Sequence, residues 1–335
     1  MSPIRLGRAA PLLALFGAAC ATNMSVFRPA GPFAAKITHL TWFLIILSTI
    51  IYIGVMALLV WAVSRNRERD PAAVDLSHRP HHFVIWGGAV IPAVVLTAVF
   101  VAAMRVTGFF PPPAPRDALS VQVTGNQWWW KIEYRDPDLS KWFVTANELH
   151  IPVGRPVRVT LVASDVIHSF WVPRLQGKLD LIPGDTNEIR LIADSAGDYR
   201  GQCAEYCGAQ HAHMGFHVVA ENPAAFNAWV ESQRAPAAPP TDSLTSLGQN
   251  LFVSGPCAAC HTIRGTPALG KVAPDLTHVA SRGTIAAGAL PNTLGNMEAW
   301  ITNAQSIKPG ARMPSITQYN GTELRALATY LESLH

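Results

Sequence analysis

"CAEYCGAQHAHM", residues 203–214, sets two cysteines, two histidines, a glutamate and a methionine within one short stretch. Three chemistries fit such a crowd. A Cys203–Cys207 disulfide suits an oxidising compartment, but it closes a very short loop. A zinc site takes Cys203, Cys207, His211 and one more histidine, and leaves Met214 without a role. Copper uses more of the set. Histidine, cysteine, histidine and a weak methionine are the ligands of blue-copper sites in β-sandwich domains. Such sites put one histidine on an early strand and the other ligands on a late loop. His168, in "DVIHSFWVP" at 165–173, is the early candidate. A mononuclear site needs one thiolate, whereas this loop supplies two. Two bridging thiolates with two outer histidines would hold two copper ions.

The residues around the stretch carry strand periodicity. "SVQVTG", "PVRVTLV" and "NEIRLIAD" place apolar residues at alternate positions. Val157, Val159 and Leu161 are expected to face a core, with Arg158 and Thr160 towards water. Turn signals such as "PVGRP" and "IPGD" separate the runs. The pattern predicts an all-β sandwich or barrel of about 120 residues. Trp128, Trp129 and Trp130 cannot all point inward, because side chains alternate along a strand. Trp129 is expected in the core and its two neighbours at an interface. "ENPAAFNAWVESQ" predicts a short closing helix.

Outward from this domain the composition changes. Of the 335 residues, 49% are hydrophobic and only 14% charged, which suggests a membrane component. A net charge of +4, without a basic stripe interleaved with aromatics, gives no case for nucleic acid. Two uncharged runs, from Ile37 to Val63 and from Phe83 to Met104, each exceed the roughly 20 residues that cross a bilayer. The segment between them carries Arg65, Arg67, Arg69 and Arg79, so it belongs on the cytoplasmic side. Everything after the second span then lies outside, in the periplasm of a Gram-negative host. Pro92 within that span is tolerated in a membrane helix packed against neighbours. Near the N-terminus, "PLLALFGAAC" after Arg5 and Arg8 fits a secretory leader ending at Cys20. Cys20 is also a candidate for lipidation.

After a Pro/Ala linker, "RAPAAPPTD" at 234–242, the period becomes helical. "DSLTSLGQNLF" opens with a capping aspartate, and "GTELRALATYLESL" is amphipathic. Cys257-Ala-Ala-Cys260-His261 has the spacing of a c-type haem attachment site, with His261 as one axial ligand. Neither a second cysteine pair nor a βαβ pattern accompanies it, which counts against zinc and redox CxxC readings. Met313, in the loop "KPGARMPS", is the candidate second axial ligand, and a Met/His pair raises the potential. Met297 reads as packing, and His278 as a surface histidine held in reserve.

"CAEYCGAQHAHM", "DVIHSFWVP", "GNQWWWKIEY" and the two-helix hairpin together resemble subunit II of haem-copper cytochrome c oxidases. The fused haem domain is similar to the caa3 kind. The resemblance implies a two-helix transmembrane hairpin, a cupredoxin-like sandwich and a small all-α c-type cytochrome domain. The expected segments are a leader over 1–24, the hairpin over 36–108, the copper domain over 117–232, the linker over 233–241 and the cytochrome domain over 242–335. It assigns His168, Cys203, Cys207, His211 and Met214 to the binuclear copper A centre. Glu205 would add its backbone carbonyl and turn its side chain to a magnesium shared with subunit I. His213 and His217 have no assigned role. Trp128 would receive electrons at the surface over the copper centre. The tethered haem is the implied donor, brought close by the linker.

The implied function is electron input to a proton-translocating terminal oxidase in a bacterial inner membrane. Subunit I, with subunit III, would be the membrane partners and a soluble cytochrome c the external donor. Rival readings are a quinol oxidase subunit, a copper-A nitric oxide reductase small subunit and a membrane-tethered carrier without an oxidase. The full ligand set argues against the first, and the elaborate hairpin against the last. Two departures stand out. "SHRPHHFVIW" lacks the acidic residue that many relatives carry before the second span. Asp185 replaces an arginine often found after the "IPG" turn.

Overall fold

The computed structural model describes residues 23–65, 81–107, 115 and 118–335. Cys20, nearly all of the expected leader, the arginine-rich loop beyond Arg65 and most of the proline-rich stretch 109–118 lie outside the described residues. The described residues divide into two compact units: those within 35–112 form one, and the rest form the other.

In the first unit, helix α1 runs from Pro32 to Ser64. Its 33 residues reach about 50 Å, well beyond a hydrocarbon core of about 30 Å. The second span begins as α2, His81–Ile85, passes through a π turn, Trp86–Val90, and continues as α3, Ile91–Thr107. The π turn has a local cause. Pro92 has no N–H to return to the preceding turn, and the hydrogen-bond ladder widens just before it. Ile50, Tyr52, Val63, Val94 and Leu96 are all exposed. Water penalises that many bare apolar side chains, and lipid does not. The two long apolar helices therefore suggest membrane anchoring.

The larger unit begins with ten strands in two sheets. The first sheet holds β1 (Leu119–Asn126), β2 (Trp129–Arg135), β3 (Phe143–Ala146), β5 (Val157–Ala163) and β8 (Asn187–Leu191), in the order β3-β2-β1-β5-β8. The second holds β4 (Glu148–Pro152), β6 (His168–Trp171), β7 (Leu179–Leu181), β9 (Gly197–Cys203) and β10 (Gly215–Glu221), in the order β4-β10-β9-β6-β7. Along β5, Val157, Val159 and Leu161 are fully buried between the sheets, while Arg158 and Thr160 are half-exposed. The tryptophan run falls one position off the expected phase. Trp130, not Trp129, is fully buried, because β2 pairs with β1 so that Trp130, Ile132 and Tyr134 share the inner face. The Trp130 ring meets Phe216, His168 and Phe170 edge-on at centroid distances of 5.1, 6.0 and 6.2 Å. The core thus ends against a candidate metal ligand.

Helix α4 (Pro223–Arg234) closes the sandwich, started by the Asn222 side chain accepting from the Ala225 N–H. The cytochrome-like part follows with α5 (Ser243–Ser254), α6 (Leu294–Ile307) and α7 (Gly321–Glu332). A capping box of Asp242 and Thr245 starts α5. Gly248 lets α5 cross α7 in direct contact, since any Cβ there would strike the Ala326 carbonyl. Phe252, Leu327, Tyr330 and Leu331 fill the core around that crossing. The Pro/Ala linker is not a free spacer. Arg264 donates to the Gln233 carbonyl at 2.5 Å and accepts from the Ala237 N–H at 2.9 Å, which lays the linker on the haem domain.

Candidate metal centre

Strand β9 ends at Cys203, and its N–H bonds to the Met214 carbonyl at 3.0 Å where β10 begins. That pairing closes residues 204–213 into one loop at the end of the sheet. A short 3₁₀ turn, His211–His213, aims His211 back towards the cysteines. Strand β6 delivers His168 from the neighbouring position in the same sheet. Cys203 Sγ and Cys207 Sγ stand 3.8 Å apart, too far for a disulfide bond of about 2.05 Å. His168 Nδ1 lies 3.9 Å from Cys203 Sγ, and His211 Nδ1 lies 3.6 Å from Cys207 Sγ. Met214 Sδ is 3.8 Å from Cys207 Sγ, and the Glu205 carbonyl is 3.3 Å from Cys203 Sγ. The structure therefore brings together all six of the expected copper ligands. Two thiols between two imidazoles, with a thioether and a carbonyl at the margins, are soft donors suited to copper.

The surroundings orient these donors. Asp165 Oδ1 pairs with His168 Nε2 at 2.9 Å, which turns Nδ1 towards the sulfurs. The other Asp165 oxygen accepts from the Gln127 N–H at 2.7 Å. Burial alone raises the Asp165 carboxyl, but its bonds to His168 and Gln127 outweigh it and hold the carboxyl below its usual range. Burial likewise lowers His168, and hydrogen bonds to Cys203 and Asp165 reverse the direction. The hydrogen bond between the two thiols holds Cys203 low and, with burial, pushes Cys207 up. Gly125 passes so close to His168 that a Cβ there would sit 2.7 Å from the ring.

Residues set aside earlier have other partners. His213 Nδ1 bonds Gln210 at 2.8 Å, and His217 Nδ1 bonds Asp198 at 2.7 Å. The half-exposed Glu205 carboxylate lies 3.7 Å from Lys178 Nζ.

The second candidate site is an apolar cavity of about 330 Å³ in the helical part, lined by Cys257, Cys260, His261, Met297, Met313 and Trp128 among others. Cys257 sits on a 3₁₀ turn, Pro256–Ala259, just after α5, and Cys260 follows it. Both are free thiols. His261 Nδ1 donates to the Pro274 carbonyl at 2.8 Å, leaving Nε2 free to serve as an axial ligand. Burial keeps this imidazole below its usual pKa, in the neutral form that ligates iron. Gly270 lies against the backbone of Ala259 and Cys260 and leaves no room there for a side chain. An apolar slot with two free thiols and an oriented histidine fits a covalent haem. Met297 belongs to the buried core beside the slot. His278 is corrected from a surface residue to a buried one. Its ring nitrogens bond the carbonyls of His335 and Ala235 at 2.7 and 3.0 Å, so neither is free for iron.

Trp128 joins the two sites. Its indole N–H donates to the Cys207 carbonyl at 2.9 Å, and its ring lines the apolar cavity. It is half-buried under the cytochrome part rather than open at the surface. Asp165 and Gly125 were missed by sequence reasoning. The Asp-x-x-His spacing in "DVIHSFWVP" was an available signal for the first.

A sandwich with a sulfur-rich metal loop, fused to a domain with a haem attachment motif, defines an electron-transfer protein with copper and haem sites. Residues 119–221 match the family model for the periplasmic domain of cytochrome c oxidase subunit II, and residues 245–335 match that for cytochrome c. Cytochrome c oxidase subunit 2 of Alkalihalophilus pseudofirmus is 36% identical over 93% of this chain and 91% of its own length. That of Bacillus subtilis is 30% identical over 93% of this chain and 92% of its own length. The crystal structure of the periplasmic domain of subunit II of cytochrome oxidase from Bradyrhizobium japonicum, 33% identical, covers 36% of this chain and 97% of its own, with a TM-score of 0.34. The chain belongs to the cytochrome c oxidase subunit 2 family, in the form with a C-terminal cytochrome c domain. It is part of a terminal oxidase and works in electron transfer there, as a subunit of a haem-copper oxidase complex with a subunit I partner.

Proposed function

We propose that this chain takes electrons from a soluble cytochrome c or similar donor onto its own haem, and passes them through a binuclear copper A centre to the oxygen-reducing subunit I, coupled to proton translocation there. The observation that carries this reading is the ligand cluster itself. Two cysteine sulfurs at 3.8 Å, each backed by an imidazole nitrogen within 3.9 Å, match a pair of metals and exceed what one needs. Bound there, two copper ions supply a one-electron carrier whose charge is shared.

The chain's residues divide the remaining work. Cys203, Cys207, His168, His211, Met214 and the Glu205 carbonyl would hold the copper ions. Asp165 fixes the His168 ring. Cys257 and Cys260 would tether a haem in the cavity, and His261 and Met313 would serve as its iron ligands. Trp128 spans the gap, with its indole N–H on the Cys207 carbonyl and its ring against the haem cavity. The Glu205 carboxylate is free to exchange Lys178 for a magnesium shared with subunit I. The hairpin anchors the chain in a bacterial inner membrane beside subunits I and III, with both metal domains on the outer side.

Copper and haem quantification of the purified chain, combined with EPR, tests the reading. Two copper ions and one haem per chain, with the many-line hyperfine pattern of a shared electron, are expected. A four-line mononuclear signal, or no copper after reconstitution, overturns it. Turnover of the assembled complex with oxygen against nitric oxide separates an oxidase from a nitric oxide reductase.

A further inference from the structure

The cytochrome part meets the copper domain through buried ionisable groups, and these have no role in the ligand sets above. Lys308 caps the C-terminus of α6, and its N–H bonds the Ala304 carbonyl at 2.8 Å. The residue is only 3% exposed. Nζ donates to the Trp128 carbonyl at 2.7 Å and to the Ala286 carbonyl at 2.9 Å. One amine thus joins the backbone of the proposed electron-accepting tryptophan to a loop of the haem domain. The next residue is also gripped. Gln210, buried beside His211, donates to the Pro309 carbonyl at 2.8 Å. Lys308 and Pro309 lead directly into the loop that carries Met313.

A second contact of opposite polarity lies elsewhere on the interface. Glu148 of β4 is 6% exposed, and its Oε1 accepts from the N–H groups of Gly283 and Thr284 at 2.7 and 3.2 Å. A backbone bond also crosses the interface, from the Gly215 N–H to the Ala287 carbonyl at 2.9 Å. Each domain buries an ionisable side chain against backbone groups of the other. Burying such groups is unfavourable unless hydrogen bonds meet them, and here both are met across the interface. A transient collision between tethered domains does not need such fitted contacts.

We propose that Lys308 and Glu148 latch the cytochrome domain onto the copper domain, and that Lys308 is a positioning residue for haem-to-copper electron transfer. The latch fixes the Met313 loop against Trp128, which is itself hydrogen-bonded to Cys207. The haem crevice is then held in its working position instead of sampling it from the end of a linker. The positioning role rests on the electron route proposed above, whereas the latch itself does not.

The test uses the full chain in the assembled oxidase, with two readouts. Haem-to-copper transfer is followed after flash reduction of the haem. Amide hydrogen exchange is measured over residues 283–287. Lys308→Met keeps the apolar stem and removes the donor. It should slow transfer by up to about tenfold, the scale of one lost buried hydrogen bond, and speed exchange across 283–287. Haem spectrum and copper EPR should stay unchanged. Glu148→Ala, at a residue outside both ligand sets, should shift both readouts in the same direction, and it decides alone if Lys308→Met fails to hold haem. Unchanged exchange in both variants overturns the latch. Faster exchange with unchanged transfer overturns the positioning role. Absence of haem-to-copper transfer in the unsubstituted chain instead overturns the electron route, and the exchange readout still judges the latch.

Discussion

Gly125→Ala probes how tightly the copper domain holds its first histidine. Gly125 lies near the end of β1, where its carbonyl accepts the Ser164 N–H at 3.0 Å. It is not among the glycines with positive φ, so alanine meets no conformational barrier there. The obstacle is space. The new Cβ would stand 2.7 Å from His168 Cδ2, 2.9 Å from Cγ and 3.2 Å from Cβ. Ordinary contact begins near 3.4 Å, so the ring must retreat by about 0.7 Å. Retreat is opposed on two sides, by the 2.9 Å bond to Asp165 and by the edge of Trp130. Overpacking of this kind destabilises by about 1–3 kcal/mol. Metal ligands must be held to within about 0.5 Å, so the copper site should suffer as well. The assay pairs thermal unfolding of the metal-free chain with EPR of the copper-loaded one. The expected result is a lower midpoint and altered hyperfine splitting. Gly295→Ala, in open space on α6, serves as the neutral control. An unchanged hyperfine pattern with a stability loss below about 0.5 kcal/mol would refute the packing argument.

Asp165→Asn removes the anionic partner of His168 Nε2 and should weaken copper binding about 10–100-fold, measured by competition with a chelator. Equal affinity in both proteins would show that Asp165 does not orient the ligand. Met313→Ala should keep the haem attached through Cys257 and Cys260 but abolish the near-infrared charge-transfer band of Met ligation, and survival of that band rejects Met313. His217 sits above its ordinary pKa because of its bond to Asp198. A raised pKa stabilises the folded state fully below about 6.5 and loses that effect as pH rises through the folded value. Unfolding of the chain beside His217→Gln should therefore show an advantage below pH 6.5 that fades in more alkaline buffer, and a pH-independent difference contradicts this.

Much of the fold was legible because its signals are local. Alternation at Val157, Val159 and Leu161 reports directly which side of a strand meets the core. The tryptophan run was misphased because three identical residues carry no internal phase. Only pairing of β2 with β1 decides that Trp130 turns inward. His278 was misplaced for a related reason. A lone histidine in a loop looks solvated, yet the C-terminal His335 and the linker's Ala235 come from far along the chain to cover it.

By itself the sequence determined the order of the segments, the CxxCH attachment motif and the candidate ligands around residues 203–214, since each depends on residue type and short spacing. Tertiary structure alone decided three things. It set the two sulfurs 3.8 Å apart with His168 beside them, 35 residues upstream of Cys203. It placed Trp128 between the copper loop and the haem cavity. It turned Lys308, an ordinary-looking lysine before a Pro-Gly, into a buried tie across 180 residues of chain. Contacts of that separation depend on how sheets and helices pack, and no local pattern in the chain encodes the distance.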